Sequence, residues 1–136
     1  MLIRGIDVGI KNSYFADVKL EKNGIFHFEL VRYGRYDVSL PPVDKTFVEV
    51  PSPRNYRRNN THILLKLYRI ATAIYAAERN KNETEIVEFE EWASVVGKSR
   101  SAIDTMFVKM FGDVNTNQHV RDAAVIAATC ATRARE

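Results

Sequence analysis

Gly5-Ile6-Asp7-Val8-Gly9-Ile10-Lys11-Asn12-Ser13 is the stretch on which the reading of this chain turns. Residues 2–8 are largely apolar and predict a buried strand, and that strand ends on the carboxylate of Asp7. A lone carboxylate inside a buried strand is costly unless it is paired or ligates a metal ion. Taken alone, Asp7 reads equally well as an acid capping a turn. Its meaning depends on whether acids from other elements join it.

Working outward, residues 13–20 continue extended, and Lys22-Asn23-Gly24 marks a hairpin turn. Residues 25–36 alternate apolar and polar (Phe26, Phe28, Leu30) as antiparallel strands do, and Leu40-Pro41-Pro42 breaks that pattern. Residues 46–50 are a short β-branched and aromatic run carrying a second acid, Glu49, among Phe47, Val48 and Val50. Pro51 and Pro53 stop it. Over residues 61–79, Ile63, Leu67, Ile70, Ile74 and Ala77 recur at helical spacing. A polar turn at 80–83 leads to a strand at 85–89 and a helix at 99–111 (Ile103, Phe107, Met110). The last helix spans 117–135, with Val120, Ala123, Ala124, Ala127 and Ala131 on a small apolar face. In it Asp122 follows His119 by one turn, so the two side chains share a face. Antiparallel strands followed by strand–helix–strand elements predict an α/β mixed sheet of about five strands with helices on its faces.

The 136 residues suit a single domain, 1–136, large enough for one core. A composition of 46% apolar and 27% charged residues is that of a globular protein in water, and no apolar run is long enough to span a bilayer. The N-terminus reads as a strand and not as a signal peptide. A single cysteine, Cys130, excludes an intrachain disulfide and a thiolate pair for metal, which suits a reducing intracellular compartment, cytoplasmic or nucleoid-associated. The net charge of +3 argues only weakly for a polyanionic partner, but its distribution says more. Between Pro51 and Ile70 there are Arg54, Arg57, Arg58, Lys66 and Arg69 and no acid, a local field that attracts phosphate or else a solvated surface.

Each acid has an ordinary explanation. Glu49 suits an exposed strand edge, and Asp122 suits the first turn of a helix. If the three converge, their repulsion requires cations between them. Hard Mg²⁺ or Mn²⁺ with oxygen ligands is the usual solution. Two such ions about 4 Å apart activate water and stabilise the leaving oxygen of a phosphodiester.

The stretch from Gly5 to Ser13 resembles the first-strand signature of RuvC-like nucleases, and its Gly-Ile-Lys-Asn continuation is similar to that of poxviral and fungal mitochondrial Holliday junction resolvases. Thr46-Phe47-Val48-Glu49-Val50-Pro51 is similar to the strand that supplies the second acid in that superfamily. The segment Glu85-Ile86-Val87-Glu88-Phe89-Glu90-Glu91-Trp92 resembles its next strand, which leads into a Trp-containing turn and a Gly-Lys step, here Gly97-Lys98. His119-Val120-Arg121-Asp122-Ala123-Ala124-Val125-Ile126-Ala127 looks like the family's closing helix. These pieces span essentially the whole chain in order.

The resemblance implies a ribonuclease H-like (RuvC-like) nuclease domain hydrolysing DNA phosphodiesters, with four-way junctions as substrate and a homodimer cutting symmetric strands. It implies Mg²⁺ or Mn²⁺, two ions per site, held by Asp7, Glu49 and Asp122, with His119 binding metal or the scissile phosphate. Lys11, Asn12, Arg54, Arg57 and Arg58 would hold the DNA backbone and Tyr56 would stack, since phosphate contacts position nucleic acid without reading it. A viral or phage source is compatible with this signature.

One departure stands out. The family has a helix between its third strand and its Glu-bearing strand, and residues 37–45 leave no room for one. That raises the question of how one sheet face is covered. It also leaves open Glu88 or Glu90 as the second acid. Glu49 is preferred because the 61–79 helix then falls where the family has one. Three other readings stand beside the junction resolvase. The same fold could act on other branched DNA or on RNA–DNA hybrids, or serve as a non-catalytic domain that binds DNA structure.

Overall fold

The computed structural model describes residues 1–51 and 61–133. Five strands come in the order β1 (Leu2–Asp7), β2 (Tyr14–Asn23), β3 (Ile25–Arg35), β4 (Lys45–Val50) and β5 (Glu83–Glu88), with α1 (Thr61–Arg79) between the last two. After β5 come α2 (Phe89–Val96), α3 (Arg100–Phe111) and α4 (Gln118–Arg133). They form one sheet in the order β3-β2-β1-β4-β5. The β1–β2–β3 half is antiparallel and the β1–β4–β5 half is parallel. Parallel neighbours cannot be joined by a tight turn, so the β4–β5 link carries α1 across one face.

Period-two alternation assigns each side chain to a face. On the α4 face, Ile3, Ala16, Val18, Phe47 and Val87 pack with Ala123, Ala127, Trp92, Ile103 and Phe107 into the larger core. On the opposite face, Ile6, Phe15, Val48 and Val50 pack against Ala71 and Ile74 of α1. The sheet is therefore covered by α2, α3 and α4 on one side and by α1 on the other. Residues 37–44 contain no helix between β3 and β4, as the spacing predicts.

Helix α4 packs closely on β1 at Gly5. A Cβ there would lie 2.0 Å from the Ala123 carbonyl oxygen and 2.9 Å from the Ala127 nitrogen, so only glycine lets α4 lie against β1. The alanines of α4 contribute the other half of that contact, and Val120 through Ala131 except for Arg121 and Asp122 are buried.

On the α1 face, β1 carries a fully buried arginine. Arg4 Nε donates to Asp17 Oδ1 (2.8 Å), Nη1 to Glu78 Oε1 (2.9 Å) and Nη2 to the Pro41 carbonyl (2.7 Å). Glu78 also accepts from Tyr36, Thr46 and Asn82. Arg4, Asp17 and Glu78 are thereby paired and hydrogen-bonded, the condition under which buried charges are tolerated. The network ties β1, β2, α1 and the 37–44 loop to one another. These partners hold Glu78 below the usual carboxylate range against the opposing effect of burial.

Two expectations need correction. The Trp-containing turn after the fifth strand is an eight-residue helix, α2. Three helices, not two, therefore follow β5. The physical reason is a capping box: the Glu88 side chain accepts from the Glu91 backbone while Glu91 accepts from the Glu88 N–H, starting a helix directly at the strand end.

Candidate active site

Asp7 is the last residue of β1, and Glu49 stands on β4 one register step beyond the Ile6–Val48 pair. Both are on the α4 face, the side of Phe47 and Gly5. Their carboxyls lie close enough to act on each other. Burial and then the charge of Asp122 lift Asp7 to about 6. Burial and then the charge of Asp7 push Glu49 well above its ordinary value. Two carboxylates held this close in a poorly solvated place cannot both stay ionised at low cost.

Helix α4 supplies the other two groups. It is started by Asn117, whose Oδ1 accepts from the Val120 backbone N–H at 2.9 Å. His119 and Asp122 then project over the end of β1. His119 Nδ1 is 2.9 Å from Asp7 Oδ2, and its ring stacks on Tyr14 at 5.2 Å between centroids. Asp122 is raised by burial, while Arg100 opposes that shift; Arg100 Nη2 stands 2.7 Å from Asp122 Oδ1.

The structure thus brings Asp7, Glu49, His119 and Asp122 to one place. The competing acids are elsewhere. Glu88 is occupied in the α2 capping box, and Glu90 stands in the first turn of α2. Lys11 and Asn12 lie in the loop after β1 but open towards α1, lining a cleft of about 360 Å³ with Arg35, Tyr36, Ile70 and Ile74. Arg54, Tyr56, Arg57 and Arg58 lie outside the described residues.

Two neighbours of the acids were not singled out from sequence. Trp92 Nε1 donates to Glu49 Oε2 at 2.7 Å, and Trp92 itself is buried. Arg100 Nε and Nη2 also donate to Asp104 Oδ1 at 3.1 and 2.8 Å, one turn along α3. A capping Ser at position 99 and the Trp in the strand-end motif were the available signals.

Whether this donor set fits a divalent cation follows from its chemistry. It offers hard carboxylate oxygens, buried and mutually repelling, with an imidazole beside them. That composition fits Mg²⁺ or Mn²⁺. Among the described residues no three His, Cys, Asp or Glu side chains close into a ready-made cage, and one of the three acids is engaged by Arg100.

No protein-family model matches the sequence, and no curated protein matches it. Solved structures do. Thermus thermophilus RuvC in complex with Holliday junction substrate aligns with a TM-score of 0.78 at 17% identity, over 99% of this chain and 96% of that chain. The fowlpox virus Holliday junction resolvase gives 0.54 at 11% identity over 100% of both chains. The yeast mitochondrial Holliday junction resolvase Ydc2 gives 0.52 at 14% identity, over 96% of this chain and 75% of that one. The fold is the ribonuclease H type. Within it, the chain has the RuvC-like arrangement of a mixed five-stranded sheet flanked by helices.

Proposed function

We propose that this protein is a divalent-metal-dependent endonuclease that cuts four-way DNA junctions. The observation that carries this reading is the convergence of Asp7 and Glu49 from adjacent parallel strands with Asp122 from α4. The RuvC-like fold, shared with proteins described as Holliday junction resolvases, supports the substrate class.

In this reading Asp7, Glu49 and Asp122 hold Mg²⁺ or Mn²⁺, with two ions in the site. A bound cation supplies a Lewis acid for the phosphodiester and lowers the pKa of water. The chain's own groups do the rest. Trp92 holds Glu49 Oε2 by a hydrogen bond, which would orient the carboxylate that holds the cation. His119 commits Nδ1 to Asp7, so Nε2 is the ring nitrogen left to meet a phosphate oxygen or carry a proton. Its ring is half exposed, so a substrate can reach it. Lys11 and Asn12 in the loop after β1, and Arg54, Tyr56, Arg57 and Arg58 after Glu49 in the sequence, would provide the path for the DNA backbone.

A homodimer belongs to the same reading. A four-way junction offers two equivalent strands, and the described residues carry one such acid cluster, so two copies would supply paired cuts. Light scattering after size exclusion tests that state.

The substrate class is tested with a panel at equal concentration: a four-way junction, a flap, a linear duplex and an RNA–DNA hybrid, each with Mg²⁺. Preferential cutting of the junction supports the proposal. Preferential cutting of the hybrid or the flap would transfer the same chemistry to another target.

A further inference from the structure

Arg100 has two acids within reach, and they differ in kind. Asp122 belongs to the buried acid group, with its side chain 19% exposed, whereas Asp104 stands at the surface on the same helix as Arg100 and is 34% exposed. The guanidinium itself is 37% exposed, so it can move through water without crossing packed core. Its fork donates two hydrogen bonds to Asp104 Oδ1, whereas Asp122 Oδ1, a buried oxygen with no hydrogen-bond donor, is only at ion-pair distance from Nη2. The Asp104 pair spans one turn of a helix started by Ser99, whose side chain accepts from the Ala102 N–H. That contact is therefore secured by local geometry, while the reach to Asp122 crosses between α3 and α4.

Asp122 is the acid that α4 brings towards Asp7 and Glu49. A cation that takes its Oδ1 must displace Nη2 from the same oxygen, because that oxygen is already at ion-pair distance from the guanidinium. A cation held by Asp7, Glu49 and Asp122 would compete with the guanidinium for Asp122, and Asp104 would keep the released group paired.

We infer that Arg100 is a positioning residue that competes with the divalent cation for Asp122 and retreats onto Asp104 when the cation binds. The inference rests on the metal-site reading above and adds to it a built-in rival for one ligand. An equilibrium in which only part of the population presents a free Asp122 weakens apparent metal affinity by that fraction. Removing the rival removes the penalty, and removing its retreat increases it.

The full chain is titrated with Mn²⁺ by calorimetry and by the emission of Trp92, the only tryptophan, whose indole touches Glu49. Arg100→Gln is expected to lower the half-saturating Mn²⁺ concentration by at least about threefold. Asp104→Asn, which frees Arg100 to dwell on Asp122, is expected to raise it. Circular dichroism checks folding, and Arg100→Lys, which keeps the charge but loses the fork, is expected to fall between wild type and Arg100→Gln. Mn²⁺ binding that is lost in Asp7→Asn but unmoved by the changes at Arg100 and Asp104 overturns this inference alone. Wild-type binding that does not depend on Asp7 overturns the metal-site reading and this inference with it.

Discussion

The indole Nε1 of Trp92 donates a 2.7 Å hydrogen bond to Glu49 Oε2, joining α2 to strand β4 at its acid. A hydrogen bond to a buried carboxyl contributes roughly 1.5–3 kcal/mol and, here, would also orient the carboxylate. Trp92→Phe keeps most of the packing and removes the donor. Cleavage is expected to fall about tenfold or more, with a higher Mg²⁺ requirement, while binding of junction DNA is retained. Steady-state rates across a Mg²⁺ series decide this; an unchanged Mg²⁺ dependence would mean that the indole only fills space.

The second acid is decided by three substitutions made side by side. Glu49→Gln removes a carboxylate that would hold the cation beside Asp7, and cutting is expected to drop by at least about 10². Glu88→Gln keeps a side-chain acceptor for the α2 cap, and Glu90→Gln alters a first-turn helix residue. Both are expected to cut at near wild-type rates. The reverse pattern would assign the chemistry to the end of β5.

Gly5→Ala tests how the acids are brought together. The new Cβ meets backbone atoms of α4, which cannot step aside as a flexible side chain would. Stability is expected to fall by about 2 kcal/mol or more, and the residual folded protein to lose activity because α4 carries Asp122 and His119. Urea unfolding gives the first quantity and junction cleavage the second.

The acid cluster also predicts a trade between stability and function. Asp7 has a folded-state pKa lifted to about 6, above its ordinary value, so the folded chain holds that proton more tightly than the unfolded one. The stability it contributes is therefore greatest at low pH and is lost as pH rises through about 6. Near neutral pH in EDTA, Asp7→Asn is expected to be about 1–3 kcal/mol more stable than wild type. Added Mg²⁺ should stabilise wild type and leave the variant nearly unmoved. Thermal unfolding with and without Mg²⁺ measures both.

Much of this was legible in the chain because its elements are strongly periodic. The 61–79 helix and the strand ending at Asp7 are marked by apolar spacing, and the small face of α4 anticipates its contact with β1. The eight residues of α2 escaped because no turn residue separates them from β5: Glu88 ends the strand and caps the helix at once. The Glu88–Glu91 spacing was the faint signal. Trp92 and Arg100 escaped as neighbours of the acids because only the packing of α2 and α3 against α4 brings them to β4 and to Asp122. Arg4, Asp17 and Glu78 escaped for the same reason. Nothing local marks a charge in a buried strand as paired with a helix residue on the far side of the chain.

In the proposed function Asp7 anchors a metal-dependent site for cutting branched DNA. The most direct test of that role is cleavage of a synthetic four-way junction beside a linear duplex of the same sequence, with and without Mg²⁺, by wild type and Asp7→Asn. Wild type is expected to cut the junction only with Mg²⁺ and to leave the duplex intact. Asp7→Asn is expected to bind the junction but to cut it at least about 10² more slowly. Wild-type cutting rates in Asp7→Asn, or a junction bound by wild type and left uncut with Mg²⁺ and with Mn²⁺, would contradict that role.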